Sequence, residues 1–506
     1  MTISETLWVL IGVQITMGAF DMFYHHEMTE RLAWRGSAAR ELRLHAVRNW
    51  FYAFVFAVLG FARPAGLVAM ALISVLVIEV LITLWDFVEE DLSRRLPASE
   101  RVTHTLLALN YGAVLVLLVP ELVAAANEPT ALQPAWHGII SVLCAIAAGG
   151  VLVFGFRDWF ASARCRAFDD TVPRGLASGL PARQHILVTG ATGFIGVRLS
   201  AALVAEGHRV TALVRPDSLR TGRVRAALPT PLSVVSSLAE VPDDARIDAI
   251  VNLAGAPVAE WLWTRTNRMR ILRSRIKTTR AVAGLIDRLA YKPHVFVSGS
   301  AIGFYGYQSD DALTEAAPQG SGFAAGLCAA WEAEARRIET RGVRVVMLRT
   351  GVVLGRDGGM LARLLPPFDL CGGGRIGNGQ QWLSWIGRDD VVRLITFAIG
   401  NGALSGPVNA TAPGAVRNHD FARTLGRVLQ RPAVLPLPAA VLRLTLGVMG
   451  EEILLGGQRV LPAKALAAGF MFRHGDIEAL LRSELGTTVC SAREGAPARI
   501  GEPAAR

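Results

Sequence analysis

Three glycines stand three residues apart in the segment TGATGFIG: Gly190, Gly193 and Gly196. The segment joins the apolar run HILV to a stretch with helical periodicity, so the sequence predicts a strand, a tight turn and a helix in succession. In such a turn the first glycine allows the reversal, the second lets backbone approach a pyrophosphate, and the third lets helix and strand pack closely. Because N–H groups at a helix N-terminus bind phosphate, this spacing predicts a dinucleotide site.

The next predicted strand, RVTALVR, ends at Arg215. An enzyme that uses NAD usually carries an acidic residue at this place, where it binds the ribose 2′-hydroxyl, whereas arginine suits a 2′-phosphate. Arg215 therefore favours NADP(H) over NAD(H). The other interpretation is a solvated surface arginine.

Histidines and carboxylates gather near the ends of apolar segments in the first 160 residues. Asp21 and His25 are four residues apart, as are Glu41 and His45, and this spacing places each pair on one helical face. An ionisable residue deep in an apolar segment, such as Glu79, usually faces a partner or a cavity. The pattern predicts a metal site in a helical bundle, with the ligands His25, Glu41, His45, Glu79, Asp86 and His104.

Several interpretations of these residues stay open. The site could hold two irons, or one haem between two histidines, or it could handle a proton or a quinone. The side chains could also be interfacial groups that cap helices and meet lipid headgroups. No Glu-x-x-His pair occurs in the region, which counts against the usual di-iron pattern.

The elements that must position these residues fall into two halves. Five apolar segments precede residue 160, and several reach the ~20 residues that span a bilayer; they lie at about 6–24, 46–62, 65–88, 104–125 and 137–156. The Arg63-Pro64 pair predicts a short hairpin between the second and third segments. Arginines follow the first, third and fifth segments, which predicts a multi-pass protein of the cell (inner) membrane with its N-terminus outside and its later domain in the cytoplasm.

The net charge of +10 comes almost entirely from arginine, because the chain contains only three lysines. No arginine run alternates with exposed aromatics, so nucleic acid is not expected as a partner. Arginines that flank membrane helices explain the excess charge, and the lipid bilayer is the predicted partner. The five cysteines form no CxxC pair, which argues against a zinc knuckle.

After residue 184 strands alternate with helices, which predicts a parallel sheet with helices on both faces. The predicted fold is an α-helical membrane domain of about five transmembrane helices, followed by an α/β Rossmann domain and a small C-terminal substrate-side subdomain. The predicted boundaries are 1–159 for the transmembrane domain, 160–183 for a linker, 184–410 for the NADP-binding Rossmann domain, 411–490 for the subdomain and 491–506 for a disordered tail.

Four motifs carry a family resemblance: TGATGFIG, NLAG (252–255), SGSAIGFYG (298–306) and LRTGVVLG (348–355). They resemble the extended short-chain dehydrogenases/reductases, and more narrowly the nucleotide-sugar-epimerase-like subfamily with its small C-terminal domain. The resemblance covers about 185–485 and leaves the apolar half unassigned. It implies that the cofactor is held by Gly190, Thr192, Gly193, Phe194, Ile195, Gly196, Arg215, Asn252, Ala254, Gly255, Ser298 and Arg349, with Ser300 beside the nicotinamide.

That superfamily normally transfers a proton with a tyrosine whose pKa is lowered by a lysine four residues later on the same helix. Here the helix reads FAAGLCAAWEAEA, and Ala324 and Cys328 occupy the two places. Ser300 and Tyr305 are the predicted catalytic substitutes. Tyr305 is the better proton donor by chemistry, or else a packed aromatic. Cys328 is a weak nucleophile, because no basic neighbour in the sequence would lower its thiol pKa.

Two functions are compatible with these features. The first is a membrane-anchored NADP(H)-dependent oxidoreductase at the cytoplasmic membrane face, which acts on a small-molecule or lipid-like substrate or passes electrons to a metal centre in the membrane half. The second is a non-catalytic NADP(H)-sensing module that regulates its membrane domain. The missing Tyr/Lys pair favours the second, and the histidine–carboxylate cluster favours the first.

Overall fold

The computed structural model describes residues 4–94, 96–168, 172–173, 175–180, 182–216 and 228–487, with the backbone alone for 308 and 309. The chain divides into two units. The first contains Met1–Pro173 and Leu354–Leu370, and the second contains Arg174–Val353 and Cys371–Arg506. The predicted disordered tail lies outside the described residues.

Five long helices build the first unit: α1 (Glu5–Phe20), α2 (Ala39–Phe61), α3 (Leu67–Ser93), α4 (Ala98–Ala126) and α5 (Ile139–Arg166). A π-helix, Asp21–Glu30, continues α1 without a break, and two single 3-10 turns lead into α2. By length and composition, the five helical stretches 5–34, 36–61, 67–93, 98–126 and 139–166 could each cross a membrane. All five contribute side chains to one apolar core, among them Leu7, Leu59, Leu72, Leu118 and Cys144.

The connection between α2 and α3 contains a strand that the sequence did not predict. Residues Ala62–Ala65 form strand β1, which pairs antiparallel with β2 (Ala131–Pro134) from the connection between α4 and α5. The connection at Arg63-Pro64 is short, as predicted, but its partner is another loop. Pairing the two loops satisfies backbone N–H and C=O groups that the helices leave free at their ends.

Two boundaries also differ from the sequence prediction. Helix α5 continues to Arg166, so the predicted linker that starts at residue 160 begins as helix. The helix Gly359–Asp369 was assigned to the Rossmann domain but belongs to the first unit. There, Arg157 Nε donates to Asp369 Oδ2 at 3.2 Å, and Arg164 Nη2 lies 3.7 Å from the same oxygen. These ion pairs, which join positions far apart in sequence, place the helix with α5.

The second unit is built on a parallel sheet, as predicted. Its seven strands lie in the order β13 (Gly406–Ala410), β9 (Arg344–Thr350), β7 (Val295–Ala301), β6 (Ala249–Asn252), β3 (His185–Thr189), β4 (Arg209–Leu213) and β5 (Ser233–Val235). The chain leaves β3 on one side for β4 and β5 and returns on the other side to β6. Such a switch point opens a crevice at the carboxyl ends of the strands, where dinucleotides bind.

The longer helices of this unit are Phe194–Ala205, Arg265–Arg288, Phe323–Arg336, Arg388–Gly400, Asn418–Leu429, Ala439–Leu446 and Ile477–Glu484. The shorter strands are β8 (Gln308–Leu313), β10 (Val352–Gly355), β11 (Trp382–Leu383), β12 (Trp385–Gly387), β14 (Val416–Arg417) and β15 (Gly457–Val460). Strand β15 pairs in parallel with β8, so the C-terminal region packs directly against the segment that follows β7.

Candidate functional site

The predicted glycine turn joins β3 to the helix Phe194–Ala205. Gly190 has a φ of +72°, in the left-handed region that favours glycine. A Cβ atom at Gly190 would lie 2.8 Å from the Ala254 nitrogen, and one at Gly196 would lie 2.2 Å from the Gly190 oxygen. Both positions therefore exclude any side chain. The first glycine lets the turn pass under the neighbouring loop, and the third brings the helix against the strand.

Gly193 is the N-cap of that helix and carries no side chain to cap it. The first N–H groups of the helix are therefore available to an anion at the turn. Thr192 and Gly193 are exposed, whereas Phe194 and Ile195 are half-buried. This cradle fits a pyrophosphate, and the assignment of these four residues as cofactor ligands stays a prediction.

Asn252 ends strand β6 beside the turn, and its side chain is fully buried. Its Oδ1 accepts a hydrogen bond of 2.6 Å from Thr189 Oγ1, and its Nδ2 donates to Thr279 Oγ1 at 3.0 Å. Thr189 Oγ1 also accepts from the Ala254 nitrogen at 3.2 Å. Asn252 therefore positions the loop, a correction to its predicted role as a direct ligand. In the rest of the NLAG motif, Leu253 and Ala254 are half-buried and Gly255 is exposed.

Arg215 follows β4 and is exposed. Its guanidinium is therefore accessible to an anion, as the predicted contact with a 2′-phosphate requires. The segment 217–227, which comes directly after it, lies outside the described residues.

The predicted residues on β7 are less accessible than expected. Ser298 is fully buried, and its hydroxyl donates to the Gly299 carbonyl at 3.1 Å. Ser300 is also buried and donates to Glu332 Oε1 at 2.8 Å. The sequence motif correctly located the strand, but both hydroxyl protons are engaged inside the protein. The structure thus corrects their predicted exposure to the nicotinamide.

Arg349 and Tyr305 belong to one buried network. Arg349 Nε and Nη2 donate to the two oxygens of Glu332, and its Nη1 donates to the Tyr305 hydroxyl at 2.9 Å. Burial alone would lower the pKa of Arg349, but the hydrogen bonds with Glu332 hold it above the ordinary value. Because Arg349 is only 2% exposed, it lies below the surface and supports the site through these hydrogen bonds. This corrects its prediction as a cofactor ligand.

The Tyr305 hydroxyl donates its proton to Asn409 Oδ1 at 2.6 Å. Burial raises the pKa of this phenol above its ordinary value, although the hydrogen bond with Arg349 opposes the shift. Tyr305 therefore retains its proton and has both hydrogen-bonding roles filled. These bonds are compatible with the interpretation as a packed aromatic, and the role of Tyr305 as a proton donor stays a prediction. Asn409 and Glu332 were not among the predicted site residues, because the sequence does not show which polar side chains meet Tyr305 and Arg349.

Cys328 and Arg275 lie at the place where the Tyr/Lys pair is missing. Burial raises the pKa of the Cys328 thiol to about 11, which leaves it protonated at neutral pH. Arg275 donates from Nη1 to the Ala256 carbonyl at 3.0 Å, and its guanidinium stacks 5.0 Å from the centre of the Trp331 ring. Burial lowers the pKa of Arg275 to about 10, so it still carries its charge at neutral pH.

Arg275 was missed because its helix, RTNRMRILRSRIKTTRAVAGLIDR, is rich in arginine and the sequence marks none of them as special. The tertiary structure buries this one beside the cofactor loop: a Cβ at Gly255 would lie 2.9 Å from its guanidinium carbon. The signal available in the sequence was its helical face, which it shares with the buried Ile271, Thr279 and Val282.

A second group of candidates lies in the first unit. Of the six predicted ligands, His25, Glu41, His45, Glu79 and Asp86 are buried and His104 is nearly so. Arg94 Nη2 donates to Glu41 at 2.8 Å, Arg48 Nη1 donates to Asp86 at 2.7 Å, and Thr83 donates to Glu79 at 2.7 Å. His25 is hydrogen-bonded to Asp21 at 2.8 Å and to Ser99 at 3.3 Å.

Two sets of ligand atoms converge in this unit, and they differ from the predicted set. The first is Asp21, His26 and His104, and the second is His26, His45 and Glu90. Thus His45 and His104 are confirmed as members of a convergent cluster, whereas His25, Glu41, Glu79 and Asp86 lie outside both sets. The physical reason for the change from His25 to His26 is the π-helix, whose backbone bonds run from residue i to i+5 and widen the turn after Asp21.

Comparison with known proteins decides the family. The NAD dependent epimerase/dehydratase family matches residues 186–410. A chloroplastic relative from Arabidopsis thaliana, the epimerase family protein SDR39U1 homolog, is 39% identical over 301 residues, which are 59% of this chain and 86% of the relative. This chain belongs to the NAD-dependent epimerase/dehydratase family. The predicted resemblance is confirmed, and so is the small C-terminal domain, because the domain of unknown function DUF1731 matches residues 437–484.

Two further relatives agree with this assignment. The Bacillus subtilis epimerase family protein YfhF is 38% identical over 299 residues, which cover 58% of this chain and 95% of YfhF. The crystal structure of human epimerase family protein SDR39U1 (isoform 2) with NADPH has 33% sequence identity and a TM-score of 0.54. It covers 60% of this chain and 100% of the human chain. Both family matches begin after residue 185.

Proposed function

We propose that this protein is an NADP(H)-dependent oxidoreductase whose dinucleotide occupies the turn from Gly190 to Gly196. The turn itself is the observation that carries the proposal, since its first and third glycines exclude side chains and its helix N-terminus is free to bind phosphate. The exposed Arg215 and the human relative solved with NADPH support the phosphorylated form of the cofactor.

The bound dinucleotide would supply a hydride, which reduces a carbonyl to an alcohol together with one proton from solvent. Arg275 would provide the positive charge that the absent lysine supplies in relatives with a Tyr/Lys pair. Its guanidinium is fixed by the Ala256 and Ile271 carbonyls and by Trp331, so it offers a charge whose position does not change during the reaction. Cys328, protonated and buried, would only fill space.

A cavity of about 540 Å³ indicates the class of substrate. Its lining combines apolar surface with two cations: Trp263, Met269, Leu272, Phe323, Arg265 and Arg268. Phe323 begins the helix on which Ala324 and Cys328 replace the Tyr/Lys pair. Apolar walls with arginines fit an amphiphile that carries an anionic group. The proposed substrate is therefore lipid-like.

Membrane anchoring is proposed for the first unit. Large apolar side chains cover the outer surfaces of its helices and are more than half exposed in the isolated chain, among them Leu67, Leu81, Val116, Ile146 and Phe160. Exposed apolar area of this extent requires a bilayer or a protein partner. Together with the arginine distribution, it supports a multi-pass protein of the cell membrane with the dinucleotide domain in the cytoplasm.

Labelling of intact cells tests the orientation. Glu128→Cys, in the connection between α4 and α5, should react with a membrane-impermeant maleimide. Arg101→Cys, near the start of α4, should react only after the cells are opened. The reverse pattern would disprove the orientation, and labelling of both in intact cells would disprove the membrane assignment.

The enzymatic proposal is tested with the full chain in nanodiscs, by following NADPH absorbance with a panel of carbonyl amphiphiles. Anionic members should be consumed faster than neutral ones of equal length, and Arg265→Ala/Arg268→Ala should remove that preference. An absence of NADPH oxidation with every member, despite NADPH binding, would exclude the proposed substrate class.

That negative result would favour the second function, an NADP(H)-sensing module. The specific observation behind it is that the two positions of the Tyr/Lys pair are Ala324 and Cys328 and that the nearby Tyr305 is committed to Asn409. A sensor should bind NADPH without turnover and should change the hydrogen exchange of the first unit when NADPH is added.

A further inference from the structure

Five side chains of the first unit converge from four helices. Asp21 and His26 come from the π-helix, His45 from α2, Glu90 from α3 and His104 from α4. The ligand atoms of Asp21, His26 and His104 lie within 4.8 Å of one another, and so do those of His26, His45 and Glu90. The two sets share His26. This arrangement, in which carboxylate and imidazole ligands from separate helices meet, is how helical bundles bind metal ions.

Carboxylate and imidazole side chains alternate within the cluster. His104 lies between two acids, with Nε2 3.2 Å from Asp21 Oδ2 and Nδ1 3.2 Å from Glu90 Oε2. On the other side, His26 Nε2 is 3.4 Å from Asp21 Oδ2, and His45 Nε2 is 3.6 Å from Glu90 Oε1. Glu90 thus presents one oxygen to each set.

Three atoms aimed into this cluster are buried and lack a hydrogen-bond partner within the part of the chain that the structure describes: His26 Nε2, His45 Nε2 and Glu90 Oε1. Their residues are 8%, 2% and 1% exposed. Carboxylate oxygens lie 3.4 Å from His26 Nε2 and 3.0 Å from His45 Nε2, in ion-pair contacts without hydrogen-bond geometry. A buried polar atom left without a bond destabilises the folded protein. A metal ion bound by Asp21, His26 and His104 would satisfy His26 Nε2.

The buried charge also requires cations. Six carboxylates in this region are no more than 5% exposed: Asp21, Glu41, Glu79, Asp86, Glu90 and Glu100. Arg94 pairs with Glu41 and Glu100, and Arg48 pairs with Asp86. Asp21 and Glu90 instead face His104, at 3.2 Å each. When the histidines of the cluster are neutral, as metal ligands must be, a divalent ion bound by Asp21 supplies positive charge that the buried carboxylates need.

We propose that the first unit binds one divalent first-row transition-metal ion at Asp21/His26/His104. The combination of imidazole and carboxylate ligands suits iron, manganese or zinc and does not suit calcium or magnesium, which prefer oxygen ligands alone. A neutral imidazole has one free lone pair, so His26 serves one set, and its ring stacks on His45 but stands nearly perpendicular to His104. The site is independent of the dinucleotide assignment, because it uses no residue of the second unit.

Metal analysis of the full chain in detergent tests this proposal. Protein stripped with a chelator is reconstituted in separate samples with Fe(II), Mn(II), Zn(II) or Co(II), desalted and assayed for bound metal. The wild type should retain about one ion per chain of at least one of them. Co(II), if bound, should also show the visible absorption bands of a histidine-containing site. His26→Ala should reduce the content to less than half an ion, and His45→Ala should leave about one.

His25→Asn is the matched control, because His25 is adjacent to His26 and bonds Asp21 but belongs to neither set. It should retain the ion. Loss of metal from His25→Asn equal to that from His26→Ala would show that the ligands are assigned wrongly. Less than 0.2 ion per chain in wild-type protein that still binds NADPH and elutes as one species would overturn the site without affecting the proposed oxidoreductase function.

Discussion

The guanidinium of Arg349 holds the carboxylate of Glu332 through two hydrogen bonds, of 2.8 Å from Nε and 2.9 Å from Nη2. The two side chains are 2% and 1% exposed. Glu332 also accepts from Ser300, and Arg349 donates to Tyr305, so the pair joins strand β7, strand β9 and the helix Phe323–Arg336. Ser300, Tyr305 and Arg349, to which the family resemblance assigns roles in catalysis or cofactor binding, thus hold these elements of the site together.

Removing one member of this pair should destabilise the second unit. Glu332→Ala leaves the Arg349 charge buried and unpaired, a change that costs about 3–5 kcal/mol. Denaturant unfolding of the full chain, followed by loss of NADPH binding, should report a decrease of this size. Arg337→Ala, directly after the same helix and exposed, should change the stability by less than about 0.5 kcal/mol. Equal stabilities for the two variants would contradict the buried ion pair.

Tyr305→Phe distinguishes a structural role of Tyr305 from a role in proton transfer. The variant removes the hydrogen bonds with Arg349 and Asn409, so the free energy of unfolding should fall by about 1–3 kcal/mol. The maximal rate of NADPH oxidation should change less than threefold, because the phenol proton is committed to Asn409. If Tyr305 were the proton donor, the rate would fall by about 100-fold or more. Such a fall, in protein that remains folded, would confirm the sequence-based prediction.

Arg215→Ala should weaken the binding of NADPH far more than the binding of NADH. A charge-assisted hydrogen bond is worth about 1.5–3 kcal/mol, which corresponds to roughly 10–150-fold in the dissociation constant for NADPH. Calorimetric titration with the two cofactors measures this ratio. Arg209→Ala, an exposed arginine of the same strand, should change neither affinity. Identical losses for NADPH and NADH in Arg215→Ala would remove the assignment of the 2′-phosphate.

Gly190→Ala should abolish binding of both cofactors. The new Cβ would stand 2.8 Å from the Ala254 nitrogen and would push the NLAG loop away from the turn. Gly207→Ala is a matched control, since Gly207 also has a positive φ, of 82°, but a Cβ there meets nothing within 4 Å. The control should lose about 1 kcal/mol of stability from backbone strain and should bind NADPH normally. Normal binding by Gly190→Ala would place the cofactor elsewhere.

Cys328 should resist alkylation at neutral pH. Burial raises the pKa of its thiol to about 11, and a raised pKa means that the reactive thiolate forms only as the pH approaches that value. Mass spectrometry after treatment of folded protein with iodoacetamide at pH 7.5 should find the exposed Cys371 modified and Cys328 intact. Rapid modification of Cys328 would indicate an accessible, activated thiol and would reopen its role as a nucleophile.

Much of the second unit was readable from the sequence, since its signals are local. A glycine turn needs a positive φ at Gly190 and close approach at Gly196, and these requirements restrict the residue type at each position. Apolar runs such as HILV are also local signals, and they become buried parallel strands. What local signals could not show is which polar residues of the motifs face outward: Asn252, Ser298 and Arg349 stand in recognisable motifs but bond inside the protein.

In the first unit the sequence alone determined the approximate number and length of the helices, because long uninterrupted apolar runs are a local signal for helices. It also located the histidines and carboxylates. Only the tertiary structure decided that His26 rather than His25 joins His45 and Glu90, and that Arg275 is the buried arginine of its helix. The physical reason is that a ligand set or a buried charge is defined by side chains brought together from separate elements. The π-helix after α1 has a wider turn than an α-helix, and this difference changes which side chains meet.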